Sequence, residues 1–222
     1  MILPGRVLFV GAHCDDVELL AGGILFACCA SKRKVGVLVF SDHRGIVDEA
    51  AAAQSRAELA ANLAWLRQST GTEPTNHCGA MLPACRGEFE SRRAEIYATL
   101  ERLREDYDLV VTHASGDTNQ DHRQVLAEVV RVFKAHASVW GGEFPNNDVS
   151  GFAPSVFVAL DAAAVDAKVR MVERYASQRF GGRPYLDPTV VRALARVRGS
   201  QIREDAAEAF EIAARVVVRR EG

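Results

Sequence analysis

The chain has 222 residues, 48% of them hydrophobic, with a formal net charge of -2. That length suits one α/β domain with a sizeable core, and so little charge supplies no basic field for nucleic acid. No apolar run approaches the roughly 20 residues that span a bilayer, and the N-terminus lacks a secretory-signal pattern, so a cytoplasmic chain without membrane insertion is expected.

Val7 to Val10 is a short continuous apolar run, the pattern of a strand buried on both faces. His13, Cys14, Asp15 and Asp16 follow at once, and Glu18 to Ala30 is long and apolar enough for a helix. Strand, polar loop, helix is how open α/β sheets begin, with chemistry placed beyond the carboxyl ends of the strands. Two adjacent carboxylates beside an imidazole at such an edge repel one another and lose hydration, a cost that a cation offsets. The competing role for either Asp is capping the helix that follows.

Val35 to Phe40 is a second apolar strand, ending in Ser41-Asp42-His43-Arg44-Gly45. Asp48 to Gln68, rich in Ala, Leu, Glu and Arg, predicts a helix. The segment 71–87 is irregular with room for a short strand, and Glu88 to Glu105 reads as a helix. Asp108 to His113 is the third clear strand, followed by a polar loop through His122. Val125, Leu126, Val129, Val130 and Phe133 then recur at helical spacing over Arg123 to His136. Further on, strands are expected at Ser138 to Trp140 and Ser155 to Leu160, helices at Asp161 to Ala176 and Thr189 to Val197, and an edge strand at Glu211 to Val218. The Gly181-Gly182-Arg183-Pro184 loop is placed at one wall of the cleft.

The five cysteines, Cys14, Cys28, Cys29, Cys78 and Cys85, show no disulfide-framework spacing. Cys28 and Cys29 read as small buried apolar residues and Cys14 as a loop filler. Cys78 and Cys85 lack the paired CxxC spacing of a structural zinc site.

The second polar loop repeats the architecture of the first, so the two can converge above neighbouring strand ends. His13, Asp16 and His122 would then supply two imidazoles and a carboxylate. Catalytic zinc takes three protein ligands of this kind and keeps a fourth position for water. A nearby carboxylate outside the ligand set, Asp15, can move the proton, although spacing alone does not choose between Asp15 and Asp16. His122 has a plainer alternative as a helix-start residue paired with Asp121. Asp42, His43, Arg44, Arg56, His113 and Asp117 lie near strand ends or on the facing helix, and with Glu143 they are candidates to ring a substrate.

The run Ala-His-Cys-Asp-Asp-Val-Glu-Leu-Leu-Ala-Gly-Gly resembles the AHPDD…GG signature of the PIG-L/LmbE-like zinc-dependent N-deacetylases, and 117–123 resembles that family's second histidine motif. Arg56 with Glu58, Glu143-Phe144-Pro145, Tyr175-Ala176-Ser177-Gln178 and Arg198-Gly199-Ser200 through Phe210 extend the likeness along the chain.

The resemblance implies a Rossmann-like, three-layer α/β/α fold with a mostly parallel sheet and a small C-terminal elaboration, one domain over 1–222. It implies hydrolysis of the acetamide of an N-acetylated amino sugar or glycoconjugate, with zinc, or another divalent ion, on His13, Asp16 and His122. It makes Asp15 both general base and proton donor, and Asn119 a hydrogen-bond donor where many members carry a histidine. Asp121 is expected behind His122 as the carboxylate orienting it, in competition with a capping role. Cys14 replaces the usual proline and Ala206 a familiar tyrosine. The alternatives are a non-catalytic metal-, sugar- or nucleotide-binding protein, against which the GxGxxG fingerprint is missing, and a metal hydrolase acting on another amide. A homo-oligomer is compatible with all three.

Overall fold

The computed structural model describes residues 3–79, 81–82, 88–148, 151–179 and 182–217. Its strands are β1 (Arg6–His13), β2 (Lys34–Ser41), β3 (Thr75–Asn76), β4 (Leu109–His113), β5 (Ser138–Gly142), β6 (Val156–Ala159) and β7 (Ala207–Ile212). The helices are α1 (Asp16–Ala30), α2 (Glu49–Thr70), α3 (Arg93–Glu101), α4 (Gln120–Phe133), α5 (Ala162–Glu173) and α6 (Pro188–Ser200). All seven strands form one sheet in the order β3-β2-β1-β4-β5-β7-β6. The pairings from β3 across to β5 are parallel, whereas β7 runs antiparallel to both β5 and β6.

Period-two alternation along the central strands sends side chains to two separate cores, which is why these strands read as unbroken apolar runs. Val7, Phe9, Val37 and Val111 pack under α1, α2 and α5, while Leu8, Val10, Leu38 and Val110 pack under α3 and α4. After β1 the chain builds β2 and β3 to one side, then returns to lay β4 on the other. The crevice beyond the ends of β1 and β4 is therefore the topological switch point, where open α/β sheets place their ligands.

Two expectations change. The last strand begins at Ala207 and lies between β5 and β6, instead of forming an edge over 211–218. Glu208 and Glu211 break the apolar pattern in the sequence, yet Glu208 is buried in a 2.7 Å ion pair with Lys168. Helix α3 covers only the middle of the expected 88–105 span, with turns flanking it. Among the described residues no helix is long and apolar enough to cross a membrane.

Candidate metal centre and its surroundings

Strand β1 delivers His13 to the switch point, and the first turn of α1 delivers Asp16. Helix α4, entered from the β4 loop, delivers His122. One ligand atom from each of these three buried residues lies within 4.8 Å of the others. Asp16 is fixed by accepting the His13 N–H at 2.7 Å through Oδ2, which leaves Oδ1 facing His122 Nε2 at 3.4 Å. On the far side of that ring, Nδ1 is 2.6 Å from Asp117 Oδ2. A carboxylate on one imidazole nitrogen fixes the tautomer and aims the other nitrogen at the ion.

His113, the last residue of β4, stacks on the His122 ring with centroids 3.8 Å apart. Its Nε2 accepts the Ala12 N–H at 3.1 Å, tying the ends of β1 and β4 together. Asn119 caps α4, its side-chain oxygen accepting from the N–H groups of Asp121 and His122. That orientation leaves the Asn119 amide NH2 as its remaining donor, and the residue lines the cavity.

Burial alone would push the His122 imidazolium down, but Asp16 and Asp117 outweigh it and raise the ring to about 10. In the same way burial opposes Asp121 and Asp16 at His13, and the carboxylates raise that ring to about 9. Burial works against ionising Asp16 too, yet His122 and His113 hold its carboxyl well below the ordinary range. The cluster therefore stabilises positive charge at its centre. Two imidazoles and a carboxylate also match the donor set and number of a catalytic zinc site, so these residues fit a divalent cation. Cation binding must displace protons from the rings, because only neutral imidazole ligates.

Asp15 sits at the N-cap position of α1 but makes no side-chain capping bond. Its Oδ1 instead faces His43 Nε2 at 3.5 Å, beside the cluster and outside the grouped ligands. A cavity of about 350 Å³ opens over these residues, walled by Ile46, Phe144, Asn147, Arg183 and Tyr185 among others. That volume is in the range of small-molecule sites. Gly182, Arg183 and Pro184 form part of the wall, where the loop was expected. Gly181 lies outside the described residues, as does Cys85 of the discarded Cys78–Cys85 clip.

The expected ring of substrate contacts is redrawn. Asp42 is buried under Arg56 and Arg44, so these three satisfy one another at the end of β2. His113 is sealed between strands and Asp117 serves His122. Glu143 is held by Arg198 at 2.6 and 2.9 Å. None of these six residues lines the cavity over the cluster. Asp121 is also corrected: its Oδ2 lies 3.3 Å from His13 Nε2, so it stands behind the first histidine instead of His122. Asn119 takes the cap, which turns Asp121 back across the site. Cys14, Cys28 and Cys29 are buried thiols, and burial pushes Cys28 and Cys29 each up to about 12.

Among curated proteins, no sequence matches the chain. Solved structures do resemble it. The conserved protein TT1542 from Thermus thermophilus superposes with a TM-score of 0.71 at 21% identity, over 96% of this chain and 97% of that one. The N,N'-diacetylchitobiose deacetylase from Pyrococcus horikoshii gives 0.70 at 17% identity, over 93% and 83%. The 4-carboxy-2-hydroxymuconate hydratase GalB from Pseudomonas putida gives 0.66 at 17%, over 98% and 100%. A deacetylase and a hydratase on one scaffold mean that these likenesses establish the fold and leave the reaction to the site. The family comparison is more specific: residues 8–133 match the PIG-L family, described as GlcNAc-PI de-N-acetylase, so the chain belongs to that family.

Proposed function

We propose that the protein is a divalent-metal-dependent N-deacetylase, with zinc as the ion, that hydrolyses the acetamide of an N-acetylated amino sugar or glycoconjugate. The observation that carries this reading is the convergence of buried His13, Asp16 and His122 with a neighbouring carboxylate, Asp15, outside their grouping. Family membership and the diacetylchitobiose deacetylase neighbour support the substrate class.

When bound, the cation supplies Lewis-acid activation of water and of the amide carbonyl. Asp15 takes the proton of the attacking water and returns one to the departing amine nitrogen. The Asn119 NH2 donates to the amide oxygen as negative charge develops there. Asp117 and Asp121 hold the His122 and His13 rings in place through their outer nitrogens. Ile46, Phe144 and Tyr185 give the pocket an apolar wall against which a sugar face can rest.

The test is acetate release from N-acetylglucosamine and N,N'-diacetylchitobiose by zinc-loaded protein, compared with Asp15→Asn. The expected result is turnover by the parent and a loss of about 10²–10⁴-fold in a variant that keeps stoichiometric zinc. Undiminished turnover would remove Asp15 from the reaction. Stoichiometric zinc without amine release from any acetylated amino sugar would favour the binding-protein alternative.

A further inference from the structure

We infer that His43 is a positioning residue for Asp15, its orientation locked through Gln178 by Arg183 of the cavity wall. This rests on the reading of Asp15 as the proton carrier. Nothing in the polar run at the end of β2 singles out His43 over its neighbours. The structure separates them, because Asp42 and Arg44 pair with each other while His43 turns inward.

His43 is buried and non-glycine, yet it holds φ at 68°, a conformation that L-residues avoid and that clusters at functional sites. The turn is held by the Ile46 and Val47 N–H groups, which both donate to the His43 carbonyl, and by Ser41 Oγ, which accepts the His43 N–H. The ring so placed stacks on His13 with centroids 4.8 Å apart and puts Nε2 3.5 Å from Asp15 Oδ1.

The other ring nitrogen settles which atom carries the proton. Gln178 is fully buried between Arg183 and His43, with Arg183 donating to its Oε1 at 2.9 Å. An arginine has only donors, so the amide oxygen must face Arg183 and the NH2 must face the ring. Nε2 of Gln178 lies 3.2 Å from His43 Nδ1, making Nδ1 the acceptor, and Ser55 Oγ approaches the same atom at 3.4 Å. In the neutral ring the proton is then on Nε2, aimed at Asp15. Gln178 is itself steadied by Ser177 Oγ, which accepts from it at 3.2 Å and donates to Glu58 at 2.5 Å.

The consequence concerns where Asp15 points. An Asp at an N-cap ordinarily folds onto the N–H two or three residues on, here Val17 or Glu18. Asp15 does not: its backbone is already near-helical, at φ -107° and ψ -11°, and its carboxylate faces the His43 Nε2–H instead. Without that donor the carboxylate loses its fixed orientation toward the cavity. Catalytic hydrogen bonds are often this long before substrate binds and shorten in the reactive complex.

The experiment compares His43→Leu with His43→Gln, whose amide nitrogen can restore a donor near the position of Nε2. With zinc-loaded protein and N,N'-diacetylchitobiose, His43→Leu should lower kcat about 10–100-fold with KM within about twofold, and His43→Gln should recover most of that loss. A crystal structure of His43→Leu should show the Asp15 carboxylate rotated away from its parental position. Nitrogen-15 NMR of the parent, metal-free, should report the Nε2–H tautomer at His43, and Gln178→Leu should release it to a mixture. Asp15 unmoved in His43→Leu, a Nδ1–H tautomer in the parent, or equal kcat in both His43 variants would each overturn the inference. The crystallographic and NMR readouts need no turnover. A protein inactive on every acetylated sugar therefore defeats the proposed function without touching them.

Discussion

Two clusters of buried charge lie along helix α1, and they differ in what they leave open. At the N-terminal end are His13, Asp15 and Asp16, joined by His122 from α4. Further along, the helix breaks at Ala21, where φ is -147°. There Glu208 accepts the Gly23 and Ile24 N–H groups at 2.9 and 2.8 Å, while Lys168 lies 2.7 Å from the same carboxylate. The second cluster closes on itself: one cation, one anion and the freed backbone donors are matched. The first leaves its carboxylates and imidazoles facing a shared centre beneath a cavity. Burial of charge thus marks both places, and only the unmatched one reads as a site.

The sharpest way to break that comparison is to unbalance the closed cluster. Lys168→Met leaves Glu208 buried against two N–H groups without its cation, a change expected to cost about 3–5 kcal/mol of stability. Adding Glu208→Gln should recover much of it, since removing both charges is far less harmful than removing one. Zinc stoichiometry should stay at the parental value throughout, measured by metal analysis beside denaturant unfolding. Loss of zinc in Lys168→Met would show that the two clusters are one unit.

Glu18 lies between them and belongs to neither. Its Oε1 accepts from Asn62 and Tyr175 at 2.9 Å each, and among the described residues its Oε2 has no hydrogen-bond partner. Burial, only partly opposed by Asn62, the Glu18 backbone N–H and Tyr175, raises its carboxyl to about 7 against an ordinary 4.5. A raised carboxyl favours the folded state while protonated, so this stability is full below about pH 4.5 and is lost as pH rises through about 7. Glu18→Gln removes the titration. The variant should be slightly less stable than the parent at pH 4, where it places two amide donors where the protonated carboxyl has one. It should gain on the parent by up to about 3 kcal/mol towards pH 8. Parallel stability curves from pH 4 to 8 would contradict this.

Much of the frame was legible because buried parallel strands advertise themselves. Val7 to Val10, Val35 to Phe40 and Leu109 to Val111 are apolar runs, and each leads into polar residues at the same edge. The meeting of His13 with His122 followed from that edge alone. What escaped depended on partners distant in sequence or on rotation about a helix axis. Strand β7 was misplaced because Lys168, which makes Glu208 tolerable inside, is 40 residues away. Glu143 reads as a cleft residue until Arg198, 55 residues on, is paired with it. Asp117 takes the place behind His122 expected of Asp121, which turns to His13, because Asn119, by taking the cap, sets which face of the first turn looks at which histidine. His43 hid behind a left-handed turn built without glycine.

The place of Asp117 behind His122 gives a smaller but more local test. Asp117 Oδ2 is the carboxylate on His122 Nδ1 at 2.6 Å, and Oδ1 accepts the Asn119 N–H at 2.8 Å. Asp117→Asn can keep the second contact while weakening the first, so it separates ring orientation from loop structure. Zinc affinity is expected to fall about 10–100-fold, read by competition with a chelating dye. An affinity unchanged within twofold would mean that the His122 ring is held by its stack on His113 alone.

The smallest effect belongs to the paired glycines that follow the acidic motif. They invite a chemical reading, since they complete the family signature, but each sits where α1 presses against other elements. A Cβ on Gly23 would come within 2.5 Å of Leu160 Cδ1 and 3.1 Å of Glu208 Oε2, whereas one on Gly22 would meet Lys168 Cγ at 3.0 Å. Leu160 is buried and must shift, an overpacking cost of about 1–3 kcal/mol, against which alanine returns about 1 kcal/mol of helix propensity. Gly23→Ala should therefore lose up to about 2 kcal/mol net, and Gly22→Ala less, because the Lys168 stem can bend. Zinc affinity should not follow either change. If instead it fell in step with stability in Gly23→Ala, the break at Ala21 would have to be transmitting strain back to Asp16, and the glycines would belong to the site after all.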